Sequence, residues 1–334
     1  MKTRELGGGG VRVSAIGLGC WGMSGSYGEA DEAESAATLN HALDLGINLL
    51  DTADSYGKAG HNESLIGRTL NKRRREFLLA SKTGWVERIG HDGTTTLGVD
   101  GRPERIKQAC EASLVRLQTD VIDLYYLHRV DPNVPIEDSV GALSELVAQG
   151  KIRFIGLSEA RAETLRRAHA VHPVTALQSE YSLWTRDAES TVMPACEELG
   201  VSFVPFSPLG RGFLTATLSN DPDQFAPEDW RANNPRFSAE NLARNRELLA
   251  TLTAIAESRA CTPAQVALAW VLSRGERVIP IPGTKRRSHL EENVKALDVQ
   301  LQPEEISTLD AAFPPGAASG DRYLPEHARW IERA

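Results

Sequence analysis

Ile47-Asn48-Leu49-Leu50-Asp51-Thr52-Ala53-Asp54-Ser55-Tyr56-Gly57 reads as a buried strand that stops at an acid and opens into a polar loop, continued by Lys58, Ala59, Gly60, His61, Asn62 and Glu63. An acid at a strand end and a tyrosine five residues on can share one cavity. Most such loops only turn the chain and most tyrosines only pack, so the stretch gains meaning from what the rest of the chain brings to it.

Upstream, segments 3–6 and 11–14 alternate apolar and polar residues around Gly7-Gly8-Gly9-Gly10, which predicts a hairpin that plugs or caps something. Ala15-Ile16-Gly17-Leu18 predicts a strand and 32–45 a helix. Downstream, strands are expected at 77–80, 121–127, 152–157, 174–177, 201–205 and 278–281. Helices are expected at 63–70, 102–117, 136–149, 163–170 and 188–199, and at 241–258 and 263–272 after a long polar loop that runs to about residue 238. Eight apolar strands alternating with amphipathic helices predict a parallel (β/α)8 TIM barrel with an N-terminal β-hairpin and a C-terminal tail, an open doubly wound sheet being the alternative. No Pro/Ser-rich linker divides the chain, so 1–334 reads as a single domain.

Composition narrows the function. The 334 residues are 41% apolar and 25% charged, with a net charge of −8, so no broad basic face is expected and nucleic acid is set aside; the run Lys72-Arg73-Arg74-Arg75 reads as a solvated helix end. No run approaches the roughly 18 apolar residues of a membrane span, and residues 1–5 lack a signal-peptide core, so a cytoplasmic location is expected. Cys20, Cys110, Cys196 and Cys261 lack CxxC spacing and read as reduced thiols. His41, His61, His91, His169 and His172 show no metal-ligand pattern, and no metal is expected.

Gly17-Leu18-Gly19-Cys20-Trp21-Gly22 matches the GxGxxG dinucleotide fingerprint, yet that motif needs a helix to begin at once. Here loop-like residues continue to about Asp31, so the match is read as a decoy. In a barrel the chemistry sits at the C-terminal strand ends. Those ends carry Gly19 and Trp21, Asp51 and Tyr56, Lys82, His128, Ser158, Gln178, Phe206 and Ser207, and Gly283 and Thr284. A lysine after an apolar strand needs a partner, and Asp51 on the neighbouring strand supplies one.

These residues resemble the aldo-keto reductase family. Asp51 with Tyr56-Gly57, Ser81-Lys82 and Leu127-His128 are similar to its catalytic tetrad in order, and Gly156-Leu157-Ser158, Gln178, Phe206-Ser207-Pro208-Leu209-Gly210 and Ile281-Pro282-Gly283-Thr284 through Asn293 to its cofactor segments. The run from His128 to Pro135 and Gly320-Asp321-Arg322-Tyr323 resemble the branch that includes pyridoxal reductases. Glu159 and Phe206 depart from the asparagine and tyrosine common in the family. A phenyl ring still stacks on nicotinamide, while the first departure leaves the carboxamide to Ser158 and Gln178.

The resemblance implies NADPH/NADP+ and a small-molecule carbonyl substrate, with Tyr56 as the acid, Lys82 lowering its pKa, Asp51 holding Lys82, and His128 at the substrate oxygen. Trp21 and Asp51 join the cofactor set. Ser207, Pro208, Leu209 and Arg211 are expected along the pyrophosphate, Gly283, Thr284, Lys285 and His289 around the ribose, and Glu292 and Asn293 at the adenine. Lys285-Arg286-Arg287 favours a 2′-phosphate. Trp21, Tyr27, Trp85, Arg129 and Trp184, with the loop of Trp230 and Arg231, are expected to shape the substrate pocket. A redox-sensing regulatory subunit on the same fold and a metal-dependent barrel hydrolase or isomerase are the other readings. The physiological substrate is not legible, because fold does not fix function.

Overall fold

The computed structural model describes residues 1–89, 94–219, 221 and 224–332. A hairpin of β1 (Thr3–Leu6) and β2 (Val11–Ser14) comes first. The alternation follows with β3 (Leu18–Gly19), α1 (Glu32–Asp44), β4 (Leu49–Asp51), α2 (His61–Leu70) and β5 (Leu78–Thr83). An antiparallel pair, β6 (Trp85–Ile89) and β7 (Thr95–Val99), interrupts it. Next come α3 (Pro103–Leu117), β8 (Ile122–Leu127), α4 (Ile136–Ala148), β9 (Ile152–Ser158), α5 (Ala162–Val171), β10 (Val174–Glu180), α6 (Val192–Leu199) and β11 (Ser202–Phe206). Beyond the long loop stand α7 (Ala239–Arg246), α8 (Leu249–Ser258), α9 (Pro263–Leu272), α10 (Arg287–Lys295), α11 (Pro303–Ala312) and the short α12 (Pro325–Ala328).

Seven strands run parallel in the order β3-β4-β5-β8-β9-β10-β11. The expected eighth strand at 278–281 is a seam instead. Ile279 and Ile281 donate their N–H groups to Phe203 (2.9 Å) and Pro205 (3.0 Å) of β11, while Pro280 and Pro282 offer only carbonyls, accepting from Gly17 (2.9 Å) and Gly19 (3.3 Å). A proline has no N–H to return to β3, so the barrel closes through isolated bridges, Phe203 with Val278 and Gly19 with Gly283. The same seam explains the glycines of the fingerprint-like run. A Cβ on Gly17 would meet Ile281 Cγ2 at 2.9 Å, and one on Gly19 would meet the Ile281 carbonyl oxygen at 2.9 Å, so both glycines serve barrel closure. The first α-helix starts only at Glu32, capped by Asp31, whose carboxylate accepts the Ala33 and Glu34 amides at 2.8 and 3.2 Å.

Period-two alternation sorts the side chains. Leu49, Leu78, Ala80, Leu124, Tyr126, Ala176, Val204, Ile279 and Ile281 fill the barrel, and Leu6 and Val13 of the hairpin plug its floor. Leu50, Leu79, Tyr125 and Leu127 face the helices. At the open end the inward positions continue as Asp51 after Leu49, Lys82 after Ala80 and His128 after Tyr126. Cys20, Cys110 and Cys196 are buried free thiols and Cys261 is partly buried and free. Among the described residues no helix is long and apolar enough to cross a membrane.

Candidate active site

Lys82 is fully buried, which is tolerable for an ammonium only if its protons are all spent. They are. Nζ donates to Asp51 Oδ1, to the Thr52 carbonyl at 2.9 Å and to the Tyr56 hydroxyl at 3.0 Å. Gln178 Nε2 donates to the other Asp51 oxygen at 2.8 Å, so β10 braces the pair formed by β4 and β5. Burial would lower the Lys82 pKa, yet the charge of Asp51, with help from Tyr56, lifts it above the ordinary lysine value.

The phenol departs from its sequence-based expectation. Burial pushes Tyr56 above the ordinary tyrosine range, and the opposing pull of Lys82 does not overcome it. Tyr56 therefore holds its proton at neutral pH. His128, whose ring lies edge-on to Tyr56 at 5.7 Å and to Trp85 at 6.1 Å, is held well below the usual histidine value by burial, then by Lys82 and Arg129. It is a neutral imidazole with one N–H to donate, and its buried Nδ1 has no hydrogen-bond partner among the described residues. Trp21 closes the near side, tilted against Tyr56 at 6.0 Å and edge-on to Tyr27 at 5.1 Å and Trp230 at 6.3 Å. Trp85 and Arg129 lie on the far side, the guanidinium 5.5 Å from the indole.

The comparisons bear on this arrangement. The family model described as the aldo/keto reductase family matches residues 15–313. The chain belongs to the aldo-keto reductase family. It is 43% identical over 332 residues to a probable aldo-keto reductase 1 from Glycine max, covering 98% of this chain and 93% of that protein. Among solved structures it is similar to the glycerol dehydrogenase AKR11B4 from Gluconobacter oxydans (30% identity, TM-score 0.83, 96% of this chain and 98% of that one). It is similar also to an aldo/keto reductase from Klebsiella pneumoniae in complex with NADP and acetate (28% identity, TM-score 0.74, 97% and 99%). The reductase is thus an oxidoreductase of a family that acts on carbonyl compounds and uses NADP(H).

The residues expected to hold the cofactor stand at or follow the C-terminal ends of β9, β10, β11 and the seam, with several side chains otherwise engaged. Ser158 is buried and accepts from Arg129 Nη1 at 3.2 Å. The Gln178 amide N–H goes to Asp51. Phe206 ends β11, and Ser207 follows with a left-handed backbone (φ 49°), a strained conformation of the kind that collects at functional sites. Pro208 and Leu209 pack behind it, and Gly283 and Thr284 follow the seam. Lys285 Nζ donates to the carbonyls of Tyr27 (2.9 Å), Gly28 (3.0 Å) and Glu29, and Arg287 pairs with Glu34 at 2.9 Å. Of the basic run only Arg286, exposed, makes no hydrogen bond or ion pair through its side chain to a described residue. His289, Glu292 and Asn293 lie on α10, whose N-cap residue Arg286 makes no side-chain cap, the Arg287 amide donating instead to Glu34 Oε1 at 3.1 Å.

Two expected site residues sit elsewhere in role. Trp184 is 4% exposed, stacked on Phe213 at 4.0 Å and edge-on to Phe237, a core position and not a pocket wall. Arg211 donates to Glu180 Oε2 at 2.6 Å and lies over Trp230 and Tyr323 at 4.0 and 5.0 Å, so its guanidinium is already neutralised. Arg322 of the tail reaches Glu159 at 2.9 Å and Glu180 at 3.5 Å, and Arg236 stands 3.9 Å from Glu180. Glu159, with a left-handed backbone (φ 54°), also accepts the Glu180 amide at 2.8 Å. This cluster escaped the sequence reading. Glu159, Arg211 and Arg322 stand out in the sequence for other reasons; what links them is Glu180, two residues beyond Gln178 and so on the same strand face.

Proposed function

We propose that this aldo-keto reductase reduces an aldehyde or ketone to an alcohol with NADPH, Tyr56 acting as general acid. The observation that carries the reading is the buried Lys82 Nζ set between the Asp51 carboxylate and the Tyr56 hydroxyl. The residues around the mouth fit the cofactor: Arg286 at the start of α10 offers an exposed cation, and the Arg287 amide there is met by the surface carboxylate of Glu34 at 3.1 Å, a contact a phosphate would take over. Arg287 can join Arg286, because its pair with Glu34 is exposed and such pairs are worth little. Phe206, Ser207, Gly283 and Thr284 would hold the nicotinamide and pyrophosphate, Arg286, His289, Glu292 and Asn293 the adenosine end. When bound, the nicotinamide supplies the hydride.

The protein's own part is to meet the charge that then gathers on the substrate oxygen. Tyr56 enters protonated and donates as that charge develops. Lys82 stabilises the phenolate left behind, and Asp51 with Gln178 keeps Lys82 charged and aimed. Neutral His128 donates a hydrogen bond to the same oxygen and does not compete as the acid.

Tyr56→Phe removes the hydroxyl alone. Its kcat for a good aldehyde substrate should fall about 10²- to 10⁴-fold, with the Kd for NADPH unchanged. Near-parental turnover would remove Tyr56 from the role. A parent that binds NADPH and reduces no carbonyl in a broad screen would move the regulatory-subunit reading ahead.

A further inference from the structure

Arg129 is a buried cation with no carboxylate of its own. It is 7% exposed, and among the described residues no acid pairs with it. The two nearest in sequence or along the strand ends are committed elsewhere: Asp131 accepts from the Gly101 amide (3.0 Å) and from Asn133 (2.9 and 3.1 Å), and Glu159 pairs with Arg322. Lys82 is balanced by Asp51, so the mouth carries one uncompensated positive charge beside His128. A buried guanidinium without a counter-charge is costly, and proteins keep one where a ligand completes it.

The hydrogen-bond pattern says which kind of ligand. Nη1 is spent on the His128 carbonyl (2.6 Å) and Ser158 Oγ (3.2 Å). Among the described residues Nε is buried without an acceptor and Nη2 makes no hydrogen bond. Nε–H and Nη2–H form the parallel edge of the guanidinium that matches the two oxygens of a carboxylate. That edge belongs to a side chain anchored to the residue next to the reacting centre and lying over Trp85, whose ring in turn meets His128.

We propose that Arg129 receives the carboxylate of a 2-oxo acid, whose adjacent carbonyl then lies at Tyr56 and His128. The inference rests on the reductase reading and names its substrate class. The reaction balances as a two-electron reduction. The carbonyl carbon gains a hydride from NADPH, the oxygen gains the Tyr56 proton, the C=O double bond becomes single, and the products are a 2-hydroxy acid and NADP+.

The test uses pyruvate, its neutral methyl ester, and oxamate, an unreactive isostere of pyruvate. Arg129→Met should raise KM for pyruvate about tenfold or more relative to KM for methyl pyruvate measured on the same variant, the loss of a charge-assisted pair. Oxamate should quench tryptophan fluorescence of the NADP+-loaded parent, and Arg129→Met should abolish that binding. Equal losses on acid and ester overturn the proposal. So does an Arg129→Met protein whose NADPH Kd rises in step, because Arg129 would then belong to the nicotinamide carboxamide. Arg129→Lys guards against misfolding: it keeps the charge, loses the fork, and should recover part of the pyruvate KM. Turnover of methyl pyruvate without oxamate binding sinks the carboxylate site and leaves the reductase. Oxamate binding that depends on Arg129, with no carbonyl reduced, sinks the reductase and leaves the anion site.

Discussion

Two buried ionic clusters stand at the C-terminal ends of the strands, and they are built for different ends. In one, Asp51 and Lys82 from adjacent strands share their bonds with a phenol, 3.0 Å from Nζ. In the other, Glu159 and Glu180 receive guanidinium groups from the long loop (Arg211, Arg236) and from the tail (Arg322). A guanidinium does not release its protons in a protein, so the second cluster has none to move. It fastens the loop and tail over the mouth, where Trp230 and Tyr323 meet edge-on at 5.7 Å. An ion pair becomes chemistry only where a group that can give up a proton is set against it.

That contrast can be broken most sharply at Lys82. Lys82→Met should cost about 10²-fold or more in kcat, since the phenolate loses its cation, and about 3 to 5 kcal/mol of stability, since Asp51 is left buried and alone. Denaturant unfolding and turnover together check this; a variant with parental values in both would place Lys82 outside the site.

At Glu180 the two effects should come apart. Glu180→Gln should lose about 3 kcal/mol in urea unfolding while kcat stays within about threefold, because it weakens the fastening and leaves the proton donor untouched. Its pH dependence carries a sign. Burial alone would raise the Glu180 pKa, but Arg211, Arg322 and Arg236 bring it down to about 2. A depressed carboxylate stabilises the fold fully above its unfolded value, 4.5, and that contribution drains away as pH falls towards 2. The stability gap between parent and Glu180→Gln should therefore narrow across that window. A gap independent of pH, or a collapse of kcat at neutral pH, would merge the two clusters into one.

The smallest effect is expected at the rim. Arg286→Ala should weaken NADPH binding about tenfold and leave NADH unchanged, the behaviour of a single exposed phosphate contact. Added salt should shrink the parental preference. Equal weakening of both cofactors in fluorescence titrations would put Arg286 elsewhere than at the 2′-phosphate.

Much of this was legible in the residues. Period-two alternation in Leu49-Leu50-Asp51, Leu78 to Lys82 and Leu124 to His128 already puts Asp51, Lys82 and His128 on the inward face, and a barrel fixes which end of each strand is open. Other features were not. The prolines at 280 and 282 were readable, but their effect on the seam depends on which neighbour each residue faces. The hairpin at Trp85 was missed although Thr94-Thr95-Thr96 favours a strand.

By itself, then, the sequence determined the alternation and which residues stand at the strand ends, because strand and helix periods are local properties. Lys82 apart, tertiary structure alone decided where the long charged side chains ended up. Lys285 went to the carbonyls of residues 27–29, Arg211 and Arg322 to Glu180 and Glu159, and Arg129 was left without an acid. The physical reason is reach. A backbone position is set by its own strand, whereas a lysine or arginine head on a flexible stem goes to whichever partner the fold brings within a few ångströms, and charge pairing depends on that distance.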